Sequence, residues 1–205
     1  NISLNVVSGL AGKDKIRRIA NFIDAHHGQS GIVYCLSRKS TETLAERLKS
    51  LGFNARAFHA AMSTADKNAI QCSFINDDVQ IICATVAFGM GIDKSNVRWV
   101  IHYNMPKNIE SYYQEIGRAG RDGMPAEALM FYSFGDMATL MKFATDSGQS
   151  AVNVDKLRRM QQYAESAVCR RRTLLSYFNE RYDHDCGNCD VCRNPPERID
   201  GTVIA

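Results

Sequence analysis

No G-x-x-x-x-G-K-[ST] run occurs in this chain; the nearest approach, Gly9-Leu10-Ala11-Gly12-Lys13-Asp14, has the wrong spacing and an aspartate where a magnesium-binding hydroxyl belongs. An acidic magnesium box is missing as well. These absences exclude a self-sufficient nucleoside-triphosphatase of the phosphate-loop kind. No stretch of about eighteen apolar residues occurs, and the N-terminus lacks the charged-then-apolar pattern of a secretory signal. Neither a membrane span nor export is indicated, and the expected location is cytoplasmic. Strong charge is lacking too: a net +3 does not announce a polyanionic partner, so any basic surface must be local.

What is present suffices for a folded protein. With 205 residues, 45% of them apolar, there is room for one ordinary domain and a small appendage. The chain opens on Asn1 instead of methionine and closes on Ile204-Ala205 in what reads as the start of a new element, so it is expected to be an excised fragment. Seven cysteines are an odd count: Cys35, Cys72 and Cys83 lie scattered in apolar surroundings, while the other four crowd the C-terminal third. In a cytosolic protein that distribution points to metal, not disulfides.

Periodicity alternates between strand and helix. Ile2–Val7, Gly31–Leu36, Asn54–Phe58, Val79–Ala84, Arg98–Tyr103 and Ala128–Tyr132 read as strands. Between them come helical stretches through Ile16–Ile23, Leu44–Leu51, Ile70–Phe74 and Ile109–Ile116, with Ser37 and the Ser63/Asp66 pair as start signals. Apolar strands separated by amphipathic helices predict an α/β fold, a mostly parallel sheet with helices on both faces. A helix with Met137, Leu140 and Met141 then closes this domain, residues 146–150 read as a flexible linker, and a boundary follows near 148. Two more helices, Val154–Val168 and Arg170–Phe178, lead into the cysteines.

Gln114-Glu115-Ile116-Gly117-Arg118-Ala119-Gly120-Arg121-Asp122-Gly123 carries the chemistry. On a helical turn, Arg118 and Arg121 leave the same face, and the glycines keep the backbone slim for a ligand to approach. Guanidinium forks are always charged and hold two phosphoryl oxygens at once. An isolated R-x-x-R is more often a solvated helix end. Here the context decides: Q-x-x-G-R-x-G-R resembles the last motif of superfamily 2 nucleic-acid motors, and the run from Asn108 through Gly123 resembles the RecQ family of DNA helicases.

The resemblance covers nearly the whole chain and implies specific roles. It makes the fold RecA-like, with residues 1–148 as the helicase C-terminal lobe, 149–198 as a small helical zinc-binding module and 199–205 as the start of a truncated winged-helix domain. Arg118 and Arg121 become arginine fingers reaching ATP and Mg2+ on a missing N-terminal RecA-like lobe, while Gly91, Asp93 and Gln114 meet the nucleotide. Thr85, Ser37, Arg38 and His59 match positions along single-stranded DNA at a duplex junction. For His59 the bland alternative is a core or capping histidine, and for Arg38 a solvated charge. Departures from the family pattern are Ala61 for Gly, Ser95 for Pro and Asn104 for an acidic residue. They touch loop geometry and no charge that the mechanism needs.

Cys186-Gly187-Asn188-Cys189-Asp190-Val191-Cys192 follows Cys169 by a helix and a loop. Four thiolates suit tetrahedral zinc, although C-x₂-C-x₂-C also occurs around iron–sulfur clusters, and spacing leaves both open. The resemblance decides for Zn2+, since a C-R-R ahead of C-G-N-C-D-x-C is the signature of the RecQ zinc module. Arg170, Arg171 and Arg172 form either a duplex-phosphate contact or a solvated helix face. The expected function is the C-terminal motor lobe and zinc module of an ATP-dependent 3′-to-5′ DNA helicase, nucleoid-associated if bacterial. The competing expectation is a zinc-stabilised nucleic-acid-binding protein with a degenerate, non-catalytic motor lobe. With no phosphate loop of its own, the 205-residue chain alone is expected to hydrolyse no ATP above background. DNA-stimulated turnover by the purified chain would contradict this.

Overall fold

Strands β1 (Ile2–Ser8), β2 (Gly31–Tyr34), β3 (Ala55–Phe58), β4 (Ile81–Ala84), β5 (Trp99–His102) and β6 (Ala126–Tyr132) join in one sheet ordered β1-β6-β5-β2-β4-β3. Every neighbouring pair is parallel. These elements come from a computed structural model that describes residues 1–86, 88 and 92–196. Strands β2, β4 and β5 are buried at every residue, which is why their sequences run apolar without alternation.

Helices cover both faces, as the pattern predicts. On one face α1 (Gly12–Ala25) and α2 (Arg38–Ser50) press Ile19, Phe22, Leu44 and Leu48 against Val33, Cys83, Trp99 and Ile101. On the other, α3 (Thr64–Ile75) lays Phe74 over Ile32 and Ile82. Beside it, α4 (Ile109–Ile116), α5 (Phe134–Thr145), α6 (Ser150–Glu165) and α7 (Arg170–Tyr177) cover Leu4, Ala128 and Met130. A last short turn, α8 (Asp190–Arg193), sits in the cysteine-rich segment. Ser37, Ser63, Asn108 and Ser133 each accept a hydrogen bond from the N–H three residues on, so α2 to α5 all start on a side-chain cap.

Two features depart from the pattern. The stretch read as a flexible linker is a short, bonded turn: Ser147 Oγ donates to the Ala144 carbonyl at 2.7 Å and receives Asn153 Nδ2 at 2.8 Å. In addition, Leu157, Met160 and Tyr163 of α6 share one apolar cluster with Tyr112 of α4 and Met130 of β6. The C-terminal helices thus use the sheet as their core, because so few of their own residues are apolar. The segment 199–205, expected to begin a winged helix, lies outside the described residues.

β1 is an edge strand, and the cysteine-rich segment closes it. Leu4 bridges Cys189, the Val6 N–H donates to Asp190 Oδ2 at 2.9 Å, and Ser3 Oγ donates to the Asn188 carbonyl at 2.9 Å. Unpaired edge groups invite pairing with other chains, and this contact satisfies them internally.

Gly31 stands in register with Trp99, and a Cβ there would lie 2.0 Å from the indole ring. Trp99 is 0% exposed and has nowhere to move. Gly31→Ala is therefore expected to lower the unfolding free energy by roughly 1–3 kcal/mol in urea titrations. Gly148→Ala, with nothing within 4 Å of its Cβ, is the control and should unfold like the parent.

Candidate functional site

Strand order brings three loops side by side. Tyr34, Ala84 and Phe58 lie level in the adjacent strands β2, β4 and β3. The residues that follow therefore emerge at one rim, at the carboxyl ends where α/β sheets gather ligands. Ser37, Arg38, His59 and Thr85 are brought together there. Ser37 and Arg38 are exposed and Thr85 is half-buried. Ser37 Oγ accepts the Ser40 N–H at 3.1 Å, so its first task is to cap α2. His59 is buried, with Nε2 2.9 Å from Glu42 Oε1 and Nδ1 without a partner. That bond ties the loop after β3 to α2.

The arginines lie on the flank of the sheet, and not on a helix as their spacing suggests. α4 ends at Ile116, Gly117 caps it, and Arg118 and Arg121 stand in the turn beyond. Gly120 makes that turn: its φ is +63°, its N–H donates to the Val97 carbonyl at 2.9 Å, and a Cβ would stand 3.0 Å from the Met124 carbonyl. Arg121 is exposed; its Nη1 donates to the Ile92 carbonyl at 3.1 Å and its Nε to the Gly117 carbonyl at 3.3 Å. The first of these bonds joins the arginine turn to the loop holding Asp93, which is exposed, as is Gln114. Gly91 lies outside the described residues. Arg118 is half-buried, its Nε enclosed without a partner.

A cavity of about 380 Å³ opens beside Thr85, between the rim and the α5–α6 pair, lined among others by Leu36, Asn104, Lys107, Phe143 and Lys156. Neither arginine lines it.

Sequence reasoning missed three buried polar groups. Lys94 is buried with its Nζ 2.7 Å from Asp77 Oδ1, anchoring the loop that carries Asp93. His102 and Glu115 pair at 2.7 Å under the rim. Charged residues within otherwise apolar runs are the only trace of them in the sequence, and their partners lie too far along the chain to be paired by eye.

The thiols of Cys169, Cys186, Cys189 and Cys192 lie within 4.8 Å of one another. Four ligands at about 2.3 Å around one tetrahedral ion stand roughly 3.8 Å apart, and Cys186 Sγ to Cys192 Sγ is 3.9 Å. A cluster of irons and sulfides inserted among them would hold them farther apart. Backbone N–H groups already aim at the sulfurs: Cys186 N at Cys169 Sγ (3.3 Å), Asn188 N at Cys186 Sγ (3.4 Å), and Arg170 N and Cys192 N at Cys189 Sγ (both 3.4 Å). Gly187, at φ +66°, lets the backbone fold over them. Burial works against the Cys169 thiolate, but the Arg172 and Cys186 N–H groups outweigh it and bring the thiol down to about 7. Cys192 is pushed up to about 12 by burial and by its thiol neighbours. Successive thiolates repel, and a bound cation removes that penalty. The donor set fits Zn2+.

Two of the three arginines after Cys169 are engaged inside the protein. Arg170 is buried, pairs with Asp190 at 3.0 Å and donates to the Tyr163 and Ala164 carbonyls. Arg171 donates to the Ile2 carbonyl, and Arg172 pairs at the surface with Asp185 at 2.9 Å.

Comparison with known proteins matches two family models to successive parts of the chain. The family model described as helicase conserved C-terminal domain matches residues 14–123, and the one described as RecQ zinc-binding matches residues 134–193. The ATP-dependent DNA helicase RecQ of Haemophilus influenzae is 47% identical over 193 residues, 93% of this chain and 31% of the relative. The RecQ-like DNA helicase blm-1 of Caenorhabditis elegans is 43% identical over 89% of this chain and 19% of the relative. The chain thus spans about a third or less of the length of the curated relatives it matches. Among solved structures, a DEAD box protein from Methanococcus jannaschii superposes with a TM-score of 0.60 at 24% identity, over 80% of this chain and 39% of that one. Mycobacterium smegmatis helicase Lhr, bound to ssDNA and AMP-PNP, gives 0.57 at 24% identity, over 78% and 22%. These likenesses establish a shared fold.

Elemental analysis of the purified chain is expected to find about one zinc per chain and no iron, with no visible absorption. Cys189→Ser should lose the zinc and become protease-sensitive from α6 onward. Since α6 and α7 share a core with β1 and β6, the melting temperature of the whole chain should fall as well. Cys72→Ser, at an exposed thiol remote from the cluster, should keep the metal. A brown, iron-containing protein would refute the assignment.

Proposed function

The chain belongs to the RecQ helicase family, and from that premise we propose that it acts as the second motor lobe and zinc module of an ATP-dependent DNA helicase, completing an ATP site built on a separate lobe. The observation that carries this reading is the exposed arginine turn: Arg121 is held by the Ile92 and Gly117 carbonyls with its guanidinium toward open surface. Two such bonds leave further N–H groups of the fork available for a phosphate. ATP with its Mg2+, presented by a preceding lobe, brings the transferring phosphoryl group to this turn. Charge then spreads over its equatorial oxygens, and a positioned guanidinium stabilises that state more than the ground state. Asp93, Gln114 and Gly91 belong to the same nucleotide face in this reading.

Single-stranded DNA runs along the rim. Thr85 and Ser37 meet backbone phosphates, Arg38 adds charge, and His59 shapes the groove from its seat on Glu42. Unwinding proceeds 3′ to 5′ and the duplex junction lies toward a winged-helix domain, by resemblance to the family. Residues 1–148 form the lobe and 149–198 the zinc module, whose role is first structural. DNA as substrate puts the work wherever DNA is held, the nucleoid of a bacterial cell.

In a protein that includes the preceding lobe, Arg121→Ala is expected to lower DNA-stimulated kcat by roughly 10²–10⁴-fold while ATP affinity falls much less. Arg118→Ala should act in the same direction, equally or more mildly. Lost ATP binding with normal turnover at saturation would reverse the assigned role.

A further inference from the structure

Between α4 and β6 the arginine turn is neither helix nor strand, so its shape depends on side chains, above all on Arg98. Arg98 directly precedes β5, and its main chain is fixed on both sides: its N–H donates to the Ser30 carbonyl at 2.8 Å and its carbonyl accepts the Glu127 N–H at 2.9 Å. From that rigid root the half-buried side chain reaches two loops at once. Its Nη2 lies 2.6 and 2.7 Å from the two carboxylate oxygens of Asp122, the residue after Arg121. Its Nη1 donates to the Pro125 carbonyl at 3.2 Å, where the turn ends. Toward the loop that carries Asp93, Nη2 also donates to the Ser95 carbonyl at 3.3 Å and Nε to the Asn96 carbonyl at 3.1 Å. Every nitrogen of the fork has an acceptor, an arrangement that the point charge of a lysine could not reproduce.

Further bonds stitch the same two loops together. The Gly120 N–H meets the Val97 carbonyl at 2.9 Å, and the Asp122 N–H donates to the Ser95 carbonyl at 3.3 Å. Arg121 Nη1 leans on the Ile92 carbonyl at 3.1 Å, so its direction depends on how the loop from Ile92 to Arg98 is held. Lys94, 2.7 Å from Asp77, pins that loop near one end, and Arg98 pins it at the other. Asp122 closes the circuit: its Oδ1 also accepts the Met124 N–H at 3.1 Å, and the Arg98 guanidinium beside it holds its carboxyl below the usual carboxylate range.

We propose that Arg98, clasped on Asp122, is a positioning residue that sets the angle of the Arg121 guanidinium against the loop of Asp93. The proposal rests on the arginine-finger reading for its use, while the clasp itself stands on the hydrogen bonds. Arg98 acts through Arg121 and not by meeting phosphate, since its own nitrogens are already engaged. A correct finger angle matters at the transition state far more than for binding, so the effect falls on kcat.

Asp122 is exposed, so Asp122→Asn removes the charge and keeps the shape of the turn. In 15N spectra of the 205-residue chain, the Arg121 Nε–H, now on the Gly117 carbonyl, should exchange faster with water, while the Arg159 Nε–H, bonded to Asp155 on α6, should not. In the protein with the preceding lobe, kcat for DNA-stimulated hydrolysis should drop about tenfold with the ATP KM changed less than about threefold, the scale of one hydrogen bond to a charged group. Arg98→Lys, which keeps the charge and loses the fork, should do the same, and Asp122→Glu, which restores a carboxylate, should turn over faster than Asp122→Asn. In a double-mutant cycle, Asp122→Asn should add nothing to Arg121→Ala. Asp155→Asn breaks an exposed pair far along the chain and should leave kcat unchanged. Unchanged exchange at Arg121, wild-type kcat in Asp122→Asn, a KM that rises as much as kcat falls, or an effect that multiplies with that of Arg121→Ala each overturns the proposal. Normal turnover by Arg121→Ala instead sinks the arginine-finger reading, and the catalytic use of the clasp with it. Should Arg98→Lys fold poorly, the exposed Asp122 variants carry the test alone.

Discussion

Four thiolates within 4.8 Å of one another are the constraint on which the C-terminal half depends. Backbone N–H groups offset part of their repulsion, and a divalent cation offsets the rest. Once that knot is tied, Asp190 is placed to accept the Val6 N–H and to pair with Arg170, whose guanidinium also reaches the carbonyls that end α6. A buried guanidinium deprived of its carboxylate costs on the order of 3–5 kcal/mol. A bound cation would therefore do more than fold a small appendage. The segment it would order closes the sheet edge, and α6 and α7 pack over β1 and β6, so the lobe and the module share their stability.

The parallel sheet separates two kinds of chemistry. Loops after β2, β3 and β4 open at the carboxyl rim, whereas α4 starts near that rim and runs back for eight residues, about 12 Å, before the arginine turn. In the proposed function, a polyanionic strand along the rim and a triphosphate at the arginine turn would be held at once without competing for the same cations. The groups between them are buried, aromatic and hydrogen-bonded: Tyr34, His102, Glu115 and Tyr112. Packed groups of this kind transmit displacement poorly by bending and well by shifting together.

Arg170 and Arg171 show how composition can mislead. Three consecutive arginines read as a surface for phosphate, yet two are drawn inward by main-chain carbonyls left at the end of α6 and at the start of β1. Helix ends and sheet edges leave acceptors without partners, and a long guanidinium is the side chain best able to reach them. Arg172, paired with an exposed Asp185, stays at the surface.

The sequence by itself determined everything that depends on near neighbours. Apolar runs marked β2, β4 and β5 because side chains buried on both faces cannot alternate, alternation marked β1, and Ser37 and Ser63 marked helix starts because a cap bonds three residues on. Cys186, Cys189 and Cys192 declared a metal site by residue type and spacing, whereas for the R-x-x-R turn spacing alone favoured a solvated helix end. Tertiary structure decided what those residues meet. Periodicity ended the helix at Ile116, where the structure ends it too, but the turn that carries the arginines is set by Gly120, whose N–H meets the Val97 carbonyl and whose absent Cβ leaves room for Met124. His59 meets Glu42 seventeen residues away, His102 meets Glu115 across a strand and a helix, and Val6 meets Asp190 at a separation of 184. Such pairs exist only after the strands have taken the order β1-β6-β5-β2-β4-β3, which is set by how the helices pack over the whole sheet and not by any local run of residues.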